Sequence, residues 1–150
     1  MVKEDKLING IKAGLIGCIA KDLPTVLLEI LKLRPTYMDY GEYLVFQNIN
    51  ISTGTHIIGL LMEILFGIFL AVIYAHLKHL IQTNHPLFRG FVFGILIWFS
   101  TRCLITISHV KILIAHNIIM VPVNVVIAGL YGLVVSYVLE KLERGISYNG

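Results

Sequence analysis

Apolar residues do not scatter along this chain; they gather into four runs bounded by charge or proline. The runs extend from about Ala13 to Leu33, Ile57 to Leu77, Gly90 to Ser108 and Ile119 to Leu139. Crossing about 30 Å of hydrocarbon takes roughly 20 helical residues at about 1.5 Å each, so each run has the length of a membrane span. The pattern predicts an all-α fold: one membrane domain over residues 1–150, a polytopic protein built as a four-transmembrane-helix bundle. The start of the fourth helix is open. Lys111 to Val121 is itself mostly apolar, so Pro122 either opens the helix or kinks a longer one. A signal peptide competes for the first run, but Lys21, Asp22 and Pro24 interrupt its middle and no small-x-small cleavage site follows, so it reads as a retained helix.

Between the first two runs, Pro35 to Thr55 carries Tyr37, Tyr40 and Tyr43 with Asp39 and Glu42. That mixture of aromatic and acidic groups suits the headgroup layer. Thr36 followed by Asp39 resembles a capping box, which admits a short interfacial segment after the first helix; a plain tyrosine-rich loop fits as well. Asn50-Ile51-Ser52 is a glycosylation sequon, too common a pattern to carry weight alone.

Composition removes the other classes. Of 150 residues, 57% are hydrophobic and 14% charged, with a mean hydropathy of +0.82, too apolar for a soluble domain of this size. A disordered tail, a secreted disulfide scaffold and a nucleic-acid-binding module each need a composition this chain lacks. Cys18 and Cys103 each lie inside an apolar run and read as small core residues. The expected partners are the lipid bilayer and either a second copy or another membrane protein, with no nucleic acid.

Charge adds orientation. With four spans, Lys3, Lys6, Lys12, Lys78, Arg89, Lys141 and Arg144 share one side, against Lys32, Arg34 and Lys111 on the other. Cytoplasmic loops hold the excess of Lys and Arg, so both termini are expected in the cytoplasm of a cell-membrane protein. A faint internal echo accompanies this. Gly10-x-x-x-Gly14 opens the first helix as Gly90-x-x-x-Gly94 opens the third, each followed by mid-membrane charge, as two parallel helix-hairpin repeats would produce and as chance would too.

The charges inside the runs are the candidate chemistry. A charge at the centre of a span costs about 2.5 to 3.5 kcal/mol, while each Leu, Ile or Val returns about 0.3 to 0.6. The ten Leu, Ile and Val residues from Leu15 to Leu33 therefore recover about 3 to 6 kcal/mol, roughly cancelling Lys21 and Asp22 and leaving nothing for Glu29. The first helix is marginal as an isolated span. Counting about 1.5 Å per residue from the cytoplasmic ends puts Asp22, Arg102 and Glu63 roughly 15 to 20 Å deep, in one layer. The expectation is a buried ionic centre of Lys21, Asp22, Glu63 and Arg102, with Asp22 paired to Arg102 and Lys21 to Glu63.

Helical spacing places these groups inward. Gly10, Gly14, Gly17 and Lys21 share a stripe, as do His56, Gly59, Glu63, Gly67 and Tyr74. The last helix offers Gly129, Gly132 and Ser136 on one face and Asn124, Ala128 and Tyr131 on the next. Such stripes serve packing or homodimers as readily as chemistry. Pro24 frees the carbonyl of Ala20 and is expected to kink the helix beside Lys21 and Asp22, an arrangement that transporters use for midplane sites and that a structural ion network tolerates equally. The six histidines, His56, His76, His79, His85, His109 and His116, all fall near a predicted interface, where imidazole needs no ligand, so no haem, metal or other cofactor is expected. No Ser-His-Asp order, phosphate loop or zinc helix motif occurs, and no catalytic residue is assigned.

Lys21-Asp22 after a Gly-x-x-x-Gly helix start, with Tyr37-Met38-Asp39-Tyr40 beyond the first run, resembles small uncharacterised four-helix integral membrane proteins of Firmicute-type bacteria. The resemblance implies a bacterial cytoplasmic membrane and no known activity. The Glu-Arg-x-x-Asn pattern of four-helix glutathione-handling enzymes is not found, and the central Glu63 lies in the second helix, whereas small multidrug transporters carry theirs in the first. The expected function is a non-enzymatic membrane subunit or interaction module. A proton-coupled or small-solute transporter using Glu63, Asp22 and Lys21 is the alternative.

Overall fold

The computed structural model describes residues 5–31, 53–80, 85–107 and 120–147. They form four helices: α1 Lys6–Ile30, α2 Thr53–Leu77, α3 Pro86–Ile107 and α4 Met120–Ser147. The tyrosine-rich segment up to Ser52, the sequon at Asn50, and Lys32, Arg34, His109, Lys111 and His116 lie outside the described residues.

Local chemistry explains where these helices begin. Asp5 caps α1, its carboxylate accepting from the amides of Leu7 at 3.1 Å and Ile8 at 3.2 Å, so the helix starts at Lys6 instead of near Ala13. Pro86 occupies the first position of α3, where its missing amide leaves no bond unmade, and the Arg89 amide donates to the His85 carbonyl at 3.1 Å. Pro122 falls in the first turn of α4 as described, where no amide needs an intrahelical acceptor within Met120–Ser147. α4 then outlasts its apolar run, continuing through Glu140 and Glu143 to Ser147. Pro24 sits well inside α1, which continues through it to Ile30.

Three helices are long and apolar enough to cross a membrane, over Ile57–Leu77, Pro86–Leu104 and Val121–Glu143. α1 is not among them, because any stretch of it long enough to cross contains Lys21, Asp22 and at least one of Lys12 and Glu29. This is the deficit that the insertion arithmetic anticipated.

Glycine sets the helix order. α3 lies closest to α4, and α1 packs on both α2 and α4. At the α3–α4 seam a Cβ on Gly132 would lie 2.8 Å from the Gly94 amide nitrogen, and one on Gly94 would lie 2.9 Å from the Ala128 carbonyl carbon; only hydrogen fits there. At the α1–α2 seam, Cβ atoms on Gly10 and Gly14 would stand 2.9 and 2.7 Å from the Cα atoms of Val72 and Ile68. The two Gly-x-x-x-Gly pairs thus do the same work, each bringing the first helix of a hairpin against the second. Gly17 turns instead toward Tyr131 and Val135 of α4, so the glycine stripe of α1 serves two neighbours.

The resulting core is small and aromatic: Ala13, Cys18, Ala71, Tyr74, Ala75, Tyr131, Val135 and Leu139. Large apolar side chains point the other way. Leu23, Ile30, Phe69, Leu96 and Val126 are among many left exposed, an inversion that suits a surface wetted by acyl chains.

Candidate functional site

The packing of α1 on α2 brings Lys21 to Glu63. The Lys21 ammonium donates to Glu63 Oε1 and lies 3.3 Å from Asp22 Oδ1, so one cation serves two carboxylates. The three side chains keep between 19% and 26% of their exposure, half-buried at the helix boundary. Height and facing both follow from sequence, since Gly10, Gly14 and Gly17 draw this side of α1 inward one to three turns before Lys21. Close by, Cys18 packs against Gly67, its thiol 3.9 Å from the Ile64 carbonyl, and the Tyr131 hydroxyl donates to the Gly67 carbonyl. Thr25 beside Pro24 donates its hydroxyl to the Lys21 carbonyl at 3.0 Å, so side-chain and backbone polar groups are satisfied within one layer.

The expected pairing of Asp22 with Arg102 does not form. Arg102 lies on α3, which packs chiefly on α4, and the ion pair of Asp22 is with its neighbour Lys21. Equal depth did not make them neighbours, because α4 is the helix that sits against both. Exchanging Asp22 and Arg102 is therefore expected to give no recovery over the single variants. A double-mutant cycle on thermal stability should give a coupling within about 0.5 kcal/mol, the size seen between residues not in contact.

A second, denser ionic layer lies where α2 ends, α3 begins and α4 runs past its apolar segment. Lys78, only 3% exposed, pairs with Glu143 and stands 3.9 Å from Glu140. Arg89 reaches Glu140 at 3.3 Å and donates to the Lys78 carbonyl at 2.8 Å, capping the end of α2. From Arg89 a chain of hydrogen bonds continues: its Nε donates to the Tyr74 hydroxyl at 3.2 Å, Tyr74 to Ser136 Oγ at 2.9 Å, and Ser136 to the Pro86 carbonyl at 2.7 Å. The Tyr74 ring stacks obliquely on Phe93, with centroids 4.6 Å apart. Removing the hydroxyl in Tyr74→Phe should cost about 1 kcal/mol, read as a lowered melting midpoint in detergent, since the Arg89 and Ser136 bonds lose their shared partner.

This layer was not expected from sequence, which treated Lys78 and Arg89 only as orientation signals. The signal available was Glu140 and Glu143, one turn apart on the same predicted side as both cations. Among the described residues no group of three or more His, Cys, Asp or Glu side chains is placed to hold a metal ion. Cys18 and Cys103 are free thiols. Comparison with known proteins finds no matching family model, curated protein or solved structure.

Proposed function

We propose that this chain is an integral membrane protein of four spans, a non-enzymatic subunit or interaction module of a bacterial cytoplasmic membrane, with both termini in the cytoplasm. The observation that carries the reading is the direction of its polarity. Among the described residues, all ion pairs but Lys21–Asp22 run between helices, α1 to α2 through Lys21 and Glu63, and α2 and α3 to α4 through Lys78, Arg89, Glu140 and Glu143. Charge spent on holding helices in register is not offered to a substrate, and the faces left over are apolar.

Self-association along those apolar faces is the activity to measure. Copies carrying two different tags, co-expressed and solubilised in mild detergent, should co-purify in fixed ratio. Exchange of subunits after mixing separately purified copies would reject a stable assembly.

A second reading is favoured by one specific feature, the surplus carboxylate at Lys21. Two acids facing one ammonium in a partly open layer suit a proton or a small cation in transit, with Glu63 as the carrier. Proton flux into sealed vesicles that is lost in Glu63→Gln would establish transport; equal flux with and without protein would remove it.

A further inference from the structure

We infer that α1 is a conditional span. It crosses the membrane only when docked on α2, the Lys21–Glu63 pair decides the docking, and the chain has a four-span and a three-span form that differ in the side on which the N-terminus lies. The inference rests on the four-span reading above.

Three observations support it together. First, α1 lacks the apolarity to cross alone, whereas α2, α3 and α4 each have it. Second, what α1 lacks is supplied by α2. Glu63 meets the Lys21 ammonium, and Gly10 and Gly14 let the two backbones approach until no Cβ would fit between them. Third, α1 packs on both α2 and α4, and the remaining helices are also joined by side-chain contacts in which α1 has no part. α3 and α4 share their glycine seam, and α2 is tied to α4 by Tyr74 to Ser136, Tyr131 to Gly67 and Lys78 to Glu143. Withdrawing α1 would uncover Gly67 and the α2 face around Ile68 and Val72, together with Tyr131 and Val135 of α4, and would leave α2 joined to α4 through these side-chain bonds.

Charge inside a span is tolerated when it is paired, and the pair here is made by two different helices, so neither helix carries the condition alone. Removing Glu63 leaves α2 more apolar and still spanning, but takes from Lys21 its partner on α2. Loss of α1 from the membrane then moves the N-terminus across while the C-terminus stays.

The test uses the full chain with Cys18→Ala and Cys103→Ser, a single reporter at Val2→Cys or at Asn149→Cys, and a membrane-impermeant maleimide applied to intact cells. Without a further change both reporters should be protected until the cells are permeabilised. In Glu63→Leu about half of the Val2→Cys chains should become labelled from outside, with Asn149→Cys unchanged, as expected for a helix whose own insertion balance is near zero. Two further variants should return the label to the starting level: the charge exchange Lys21→Glu with Glu63→Lys, and Lys21→Leu with Asp22→Leu added to Glu63→Leu. Full protection in Glu63→Leu overturns the inference, as does failure of the exchange to restore protection. Should Glu63→Leu accumulate too little to label, recovery of both amount and protection in the exchange supports the inference, and absence of recovery overturns it. External labelling of Val2→Cys before any change at Glu63, with Asn149→Cys protected, would instead reject four spans.

Discussion

Gly132→Leu is expected to leave almost no correctly folded protein, the largest effect of any single substitution in this chain. The position lies at the α3–α4 seam, where a Cβ would meet the backbone of Gly90 and stand 2.8 Å from the amide nitrogen of Gly94. Overpacking in a core usually costs about 1 to 3 kcal/mol because neighbouring side chains shift. Here the obstacle is main chain on a facing helix, and separating the two helices would also lengthen the Ser136 to Pro86 bond. Loss above about 3 kcal/mol follows, visible as collapse of the monodisperse peak in detergent chromatography. Gly129→Ala makes the control: its Cβ would meet the Phe91 ring, a side chain that can turn aside, so the loss should be smaller. Equal melting midpoints for Gly132→Leu and the native chain would refute the seam.

Lys78→Met should produce the second largest loss. The ammonium is 3% exposed and faces Glu143 and Glu140, and Arg89 can serve only one of those acids well. Removing one partner of a buried pair typically costs about 3 to 5 kcal/mol, because the remaining charge keeps its desolvation without its attraction. Replacing both partners, Lys78→Met with Glu143→Leu, should recover most of that loss, since apolar packing of similar volume is often neutral. Lys21→Met should cost less than Lys78→Met, because the Lys21 site keeps 19% exposure and water can reach the acids left behind. Unfolding of the four proteins in mixed detergent checks the order, and a Lys21 variant weaker than the Lys78 variant would contradict the burial argument.

The helical class and three helices long and apolar enough to cross a membrane were legible because run length against bilayer thickness is a one-dimensional measurement. Lys21 and Glu63 were legible for the same reason, as depth is counted along each helix and the glycine stripe supplied the facing. Asp22 with Arg102 failed because depth carries no information about which helices are neighbours. That order was written in Gly94, Gly132 and Ala128, whose complementarity appears only when two helices are laid together. The ionic layer around Lys78 was missed for another reason: charges at helix ends look solvated, and burial there depends on α4 continuing past Leu139 to Ser147. The early start of α1 was readable in Asp5, a capping residue that a search for apolar runs passes over.

Lys78 and Arg89 have a place in time as well as in space. Both precede Glu140 and Glu143 in the chain, so during synthesis the turn between α2 and α3 emerges with its positive charge uncancelled. In the proposed orientation that charge holds the turn in the cytoplasm while the last helix is still being made. Once α4 arrives, its two acids neutralise the same side chains and enclose them. A signal that steers a nascent hairpin is thereby consumed by the finished protein, and the topology it selected can no longer be reversed without breaking the lock it became.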